Sequence, residues 1–331
     1  MKKLSLLLLA STVSSSLFAS TLLPVTESNY EKAESDLSFS NITKLVGSNA
    51  WFHFPKLTPL DNQTVVRMNR DTIYSGYVAD VSKGGTVTIP DTNGRYLSVM
   101  IVQNDHYIDQ VFTNPGTYEI KSDTEFAMIV ARTQIDPNDP NDINNVKRIQ
   151  NQIKVKTNSH NQHKLPNYDF KQLISLRHKL VDEGKTFGSL NGMQGARGTV
   201  DKRMHLYGTA LGWGLLPDKN AQYLSYYSQG QAADATKCIT ATYKQPPVTG
   251  NGFYSITIYN KEGWIANEHS VLNKNNLKFN QDGSFTVNYG NCPENAINHV
   301  PVTNDWDMLM RVYEPDMNAL KQYKLPKVTI K

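Results

Sequence analysis

Hydrophobic and polar positions change rhythm several times along the chain. Residues 25–50 carry Tyr30, Ala33, Leu37 and Ile42 at roughly helical spacing, which predicts a helix. Pro55 and Pro59 then break the chain into a loop. From Val65 to Val130 the pattern becomes short β-branched and aromatic runs: "TIYSGYVADV", "GTVTIP", "YLSVMIVQ", "YIDQVF", "GTYEI" and "FAMIVART". The segments between them, "SKGG", "PDTNGR", "QNDH" and "TNPG", are turn chemistry. Short strands at intervals of about 8 to 15 residues predict an all-β sandwich or barrel.

The rhythm changes again at "IDPNDPND", where Asp and Pro mark a stop and a helix start. Ile143, Val146, Ile149 and Ile153 follow at helical spacing with polar residues opposite, predicting an amphipathic helix. Phe170, Leu173, Ile174, Leu180 and Val181 predict a second helix ending at Gly184. Residues 184–214 hold eight glycines and read as a connector; with no GK[ST] after them and no strand before, they are not a phosphate loop. The last third is β again: "FYSITIYNKEGW" as a strand and turn, "LKFNQDGSFTVNYG" as a hairpin, "WDMLMRVYEP" as a strand, and "LPKVTIK" as an edge strand. The expected layout is a helical and loop segment over 20–60, a first β module over 61–135, helices and connector over 136–225, and a second β module over 226–331.

The first 19 residues modify this picture. "MKKLSLLLLASTVSSSLFA" has a basic start, an apolar run of about ten residues and a small residue at its end, the plan of a secretory signal peptide cut near Ala19. The expected location is therefore periplasmic or secreted. No later apolar run approaches the length of a membrane span, so none is expected. Loss of Lys2 and Lys3 lowers the formal charge from +4 to +2, with charges scattered, which argues against nucleic acid as a partner. Cys238 and Cys292 are the two cysteines, and an oxidising compartment favours a bond between them over two free thiols.

The order of motifs resembles two families of exported bacterial proteins. "MNRDTIYSGYVADVS", "IPDTNGRYLSVMIVQNDHY", "PGTYEI" and "IVARTQIDPNDPNDINNVKRIQNQIKV" resemble the family catalogued as DUF 1254. "GFYSITIYNKEGWI", "LNKNNLKFNQDGSFTVNYG", "WDMLMRVYEPD" and "LPKVTI" resemble its frequent partner, DUF 1214, and "YGTALGWGLLPDKNAQY" is similar to the segment joining them. The resemblance implies a mainly β fold of two tandem β-sandwich (jelly-roll-like) modules with linking helices, and admits a homo-oligomer such as a trimer. It implies no activity.

Candidate chemistry centres on "RMNRDTIYS". Asn69, Asp71 and Tyr74 could line a polar pocket at a sandwich rim, with Arg67 or Arg70 contacting an anion; alternatively Asn69 closes an Asx-turn and Asp71 caps the loop. Arg95, Arg132 and Arg311 lie in or beside apolar strands, where each should meet a carboxylate (Asp71, Asp105 or Glu119) or hold an anionic ligand. "QNDHY" pairs Asp105 with His106 in what reads as a surface turn. His160 and His163 have HxxH spacing without a third ligand, and Asp136, Asp139 and Asp142 read as helix capping rather than a calcium loop. No cofactor is evident, and a divalent metal stays open. With no G-x-S-x-G, S-x-x-K, H-E-x-x-H or G-x-G-x-x-G, the leading expectation is binding of a small anionic or amphipathic ligand in the cell envelope. The alternatives are a hydrolase of carboxylic or sulfate esters using Asp71 and Tyr74, and a structural shell subunit.

Overall fold

The computed structural model describes residues 22–63, 67–136 and 139–331; the stretch read as a signal peptide lies outside them. In chain order the elements are α1 (Tyr30–Val46), β1 (Trp51–His53), β2 (Thr72–Asp80), β3 (Gly85–Ile89), β4 (Leu97–Gln103), β5 (Gln110–Phe112), β6 (Gly116–Glu119), β7 (Phe126–Gln134), α2 (Asp142–Gln150) and β8 (Lys154–Thr157). There follow α3 (Phe170–Gly184), α4 (Lys202–Leu211), β9 (Ala221–Tyr227), β10 (Cys238–Tyr243), β11 (Tyr254–Tyr259), β12 (Val271–Asn273), β13 (Phe285–Gly290), β14 (His299–Val300), β15 (Asp307–Tyr313), α5 (Met317–Leu320) and β16 (Thr329–Ile330).

These strands build two β-sandwiches in tandem. In the first, the sheet β1-β2-β7-β4-β5 packs one face on the small sheet β6-β3-β8. Period-two alternation sends Val99, Ile101, Ile129 and Ala131 to that core, where they meet Val87 and Ile89. In the second, β12-β11-β15-β9 lies on β14-β13-β10-β16, with Ile256, Ile258, Met308 and Met310 against Ile239, Val287 and Trp306. The Cys238–Cys292 disulfide is formed and closes the start of β10 to the end of β13.

Both faces of each long sheet are buried. The outer face of the first long sheet carries Val78, Met100, Val102, Met128 and Val130. Part of it is covered by α1 through Phe39 and Ile42, and part by the outer face of the second module's sheet through Ala221, Phe253 and Tyr313. Gly76 makes the close approach of α1 workable, since a Cβ there would sit 3.2 Å from Ile42 Cδ1. α3 and α4 complete a small helical cluster with α1. Gly208 of α4 has no alternative residue: a Cβ would lie 2.2 Å from the carbonyl oxygen of Met193.

Several expectations change. The glycine-rich segment includes α4, packs with α1 and α3, and bonds His106 of the first module through Thr209 and Gly214, so it is structure and not simply a connector. α3 buries Leu173, Leu180 and Gly184, leaving Phe170 and Ile174 exposed, because its stripe is set by α1 and α4. The 277–290 stretch makes its turn, with Gly283 N bonded to Asn280 O, but only the β13 half is a strand; it pairs with β10 and β14. β9 starts the second sandwich at Ala221, inside the segment assigned to the linker, and β8 adds a strand to the first after α2. Both pair with strands distant in the chain, β9 with β15 and β8 with β3, which a local pattern does not show.

Candidate functional site

The two long sheets meet across a layer that is polar at its centre. On the first module, register places Tyr74, Arg132 and Ser98 side by side on β2, β7 and β4, with Thr72 opposite Gln134 in the adjoining row. On the second, Asn273, Ser255, Arg311 and Tyr223 form a matching row across β12, β11, β15 and β9. Directly opposed residues share a face, so each row presents its side chains together.

Asp71 bridges the modules. Fully buried, its Oδ2 accepts from Ser255 Oγ at 2.5 Å and from Tyr313 OH at 3.4 Å. Asn69 works in two directions: its Oδ1 accepts from the backbone N–H groups of Asp71 (2.6 Å) and Thr72 (3.2 Å), while Nδ2 donates to Tyr313 OH at 2.6 Å. The Asx-turn therefore forms, and the same side chain is tied to the second sandwich. Burial pushes the Asp71 carboxyl above its ordinary range, against the opposing pull of Arg311, Ser255 and Tyr313.

The arginines divide into three kinds. Arg67 and Arg70 are inter-module clasps, bonded to Asp307 and Glu268 at 2.5 Å each. Arg95 grips Asp142 at the start of α2 with both terminal nitrogens (2.5 and 2.7 Å), and its Nη1 also donates to the backbone carbonyl of Gln134 at 2.7 Å. The partners expected for it, Asp71, Asp105 and Glu119, are all wrong: Asp142 belongs to a segment whose path only the fold sets. Arg311 donates to Thr257 Oγ1 (3.0 Å), Tyr259 OH (2.7 Å) and the carbonyl of Arg67 (2.8 Å), with Asp71 as its neighbouring negative charge.

Arg132 is different. Its guanidinium is buried over the Tyr74 ring, 5.2 Å from the centroid, and Nη2 donates to the carbonyl of Gly214. Nη1 is buried without a partner, and among the described residues no carboxylate pairs with it, contrary to the expected ion pair. Arg132 and Arg311 both hold down the Tyr223 phenol, which burial nevertheless lifts to about 12. Other buried polar atoms in or beside the same rows are also unpartnered: Asp71 Oδ1, Thr72 Oγ1, Tyr96 OH, Ser98 Oγ, Gln134 Nε2 and Asn273 Nδ2. Interiors satisfy about nine in ten such groups, so a cluster of them marks a place where other polar matter belongs.

Gly214 is itself held in position. His106 is fully buried at φ +69°, and its Nε2 accepts from the Gly214 N–H at 2.8 Å while Nδ1 faces Thr209 Oγ1 at 2.8 Å. Burial depresses its basicity strongly, which keeps the ring neutral and the Nε2 lone pair available. The "QNDHY" turn thus forms but is internal at His106, and it aligns the carbonyl that receives Arg132. Asp105 points elsewhere, to Arg197. Asp71 and Tyr74, paired as a hydrolytic site by the sequence, hold different partners: Ser255 and Tyr313 for one, Arg132 for the other. His160 and His163 are not a pair, since His163 bonds Asp36 and His160 contacts Thr157. Among the described residues no group of three His, Cys, Asp or Glu side chains is placed to hold a metal. The rows contributed by the second module were missed because their residues (Ser255, Tyr223, Asn273) carry no signal until strands pair.

The architecture is thus a tandem β-sandwich protein with a buried polar layer between its modules. Residues 48–110 match the family model described as Protein of unknown function (DUF1254), and residues 221–317 that described as Protein of unknown function (DUF1214), so the chain carries the two in tandem. The clasp arginines and Asp71 lie in the first match, their partners Asp307 and Glu268 with Ser255, Arg311 and Tyr313 in the second, and Arg132 in neither. A crystal structure of the VPA0106 protein from Vibrio parahaemolyticus is similar in fold, with a TM-score of 0.67 at 16% identity over 92% of this chain and 98% of that one. A putative uncharacterized protein from Burkholderia cenocepacia matches with a TM-score of 0.50 at 12% identity, over 91% of this chain and 88% of that one. A comparison with curated proteins finds no match.

Proposed function

We propose that this is an exported protein that binds a small anion, such as a carboxylate or sulfate head group, in the layer between its two sandwiches. The observation that carries the reading is Arg132, a buried guanidinium with an unpartnered Nη1 and no carboxylate beside it among the described residues. An isolated buried cation is costly, and an anionic ligand would neutralise it while also receiving bonds from Ser98, Gln134 and Thr72. Asp71, the acidic group of the layer, already has Arg311 as its neighbouring charge, so it does not balance Arg132. Export is supported by the basic-then-apolar N-terminal stretch and is in keeping with the disulfide.

A thermal-shift series with acetate, hexanoate and sulfate tests this. A ligand at a hundred times its dissociation constant should stabilise the protein by about 2.7 kcal/mol. Arg132→Gln should abolish the response while Arg197→Gln, whose partners Asp105 and Asp123 lie outside these rows, retains it. An anion-dependent rise that persists unchanged in Arg132→Gln would remove the site from this layer.

A further inference from the structure

A polar cavity lies between α1, the β4–β5 turn, the start of β7 and the loop at 163–166, with a volume of about 360 Å³. That is within the range of small-ligand sites. At its wall Asp36 of α1 is buried and saturated. It accepts from Lys32 Nζ (3.0 Å), Tyr168 OH (2.8 Å), Asn104 Nδ2 (2.8 Å) and His163 Nε2 (2.9 Å). His163 Nε2–H is directed at that carboxylate, and among the described residues its Nδ1 is buried with no partner. Asp105 lines the same cavity; its Oδ2 is held by Arg197 and its Oδ1 is buried and unpartnered. Glu125 adds an exposed carboxylate with no ion pair among the described residues.

The acceptors left open are Asp105 Oδ1 and the Glu125 carboxylate. Of the charged groups on the wall, Asp36 engages Lys32, which also bonds Asn104, and Asp105 is held through Oδ2 by Arg197 from outside the lining, while Glu125 and Lys164 have no ion pair among the described residues. Phe126 gives the wall an aromatic face. We propose that this cavity binds a small organic ammonium ion, its N–H donors meeting Asp105 and Glu125 and its carbon chain lying on Phe126. Acceptors beside an aromatic ring suit a cation and disfavour an anion, so the site is distinct in chemistry from the inter-module layer.

Isothermal titration of the purified protein with 1,4-diaminobutane and n-butylammonium, with butyrate as counter-probe, tests the assignment. The amines should give saturable one-to-one heat and butyrate none. Glu125→Gln and Asp105→Asn should each weaken the amine about tenfold, the usual effect of losing one charge-assisted bond. Arg132→Gln should leave amine binding intact, which separates this site from the anion site. No saturable heat with either amine, wild-type affinity in both acid variants, or competition from butyrate would overturn it.

Discussion

At the scale of single residues, the layer between the modules joins strong dependence with incomplete satisfaction. Arg311 serves Thr257, Tyr259 and a backbone carbonyl from the first module, and is the counter-charge to Asp71. Removing it strands a buried carboxyl as well as those acceptors. Arg311→Leu should cost about 3–5 kcal/mol by urea denaturation at neutral pH, while Asp71→Asn, which keeps the shape and an acceptor for Ser255, costs less. The sign of the pH effect follows from the raised Asp71 pKa. A carboxyl that binds its proton more tightly when folded favours the fold as pH falls, so the Arg311→Leu penalty should shrink toward acid pH. A penalty that grows on acidification would show that Asp71 is not the group left exposed to the loss. Asn69 and Asp71 were visible from sequence as a turn-forming pair; that Asn69 also reaches Tyr313 was not, because the two are separated by 244 positions.

At the scale of elements, Asp80 shows how one side chain fixes a loop. It ends β2, and its Oδ1 accepts from Ser82 N–H (3.1 Å) and Oγ (2.6 Å), while Oδ2 accepts from Asn161 N–H (2.9 Å) and Ser159 Oγ. Burial would raise its pKa, but these donors together outweigh burial and hold it at about 2. A depressed carboxyl stabilises the fold above its unfolded pKa and loses that contribution as pH falls toward the folded value. The contribution is on the order of 2 kcal/mol. The stability gap between wild type and Asp80→Asn, followed by urea midpoint, should therefore narrow between about pH 5 and 2. A gap independent of pH would mean that the charged form is not what the donors recognise. The long strands β2, β4, β7, β11 and β15 were legible because nine or fewer residues of β-branched and aromatic character sit between turn signals. Strands β1, β12 and β14 were not, since segments of two or three residues become strands only through a neighbour's hydrogen bonds.

At the scale of the whole molecule, the sandwiches share a buried face with apolar contacts around a polar centre and clasps at Arg67 and Arg70. They should unfold in a single calorimetric transition. The Cys238–Cys292 bond spans 54 positions and, in the chain-entropy account, should contribute about 4 kcal/mol. Reduction should then lower the melting temperature on the order of 10 °C. Two separated transitions before reduction would show that the shared face does not couple the modules.

The sequence by itself determined the β-rich modules, the amphipathic α2, the order of motifs that carries the two-family resemblance, and the motif that holds Asn69 and Asp71. These depend on local periodicity and turn chemistry, which are properties of neighbouring residues. Only the tertiary structure decided that Arg132 has no carboxylate beside it among the described residues, that Arg95 takes Asp142, that His106 is internal, and that Asp36 and His163 share a cavity wall. Each of these is a contact between residues distant in the chain, and such pairings are fixed by how whole sheets stack.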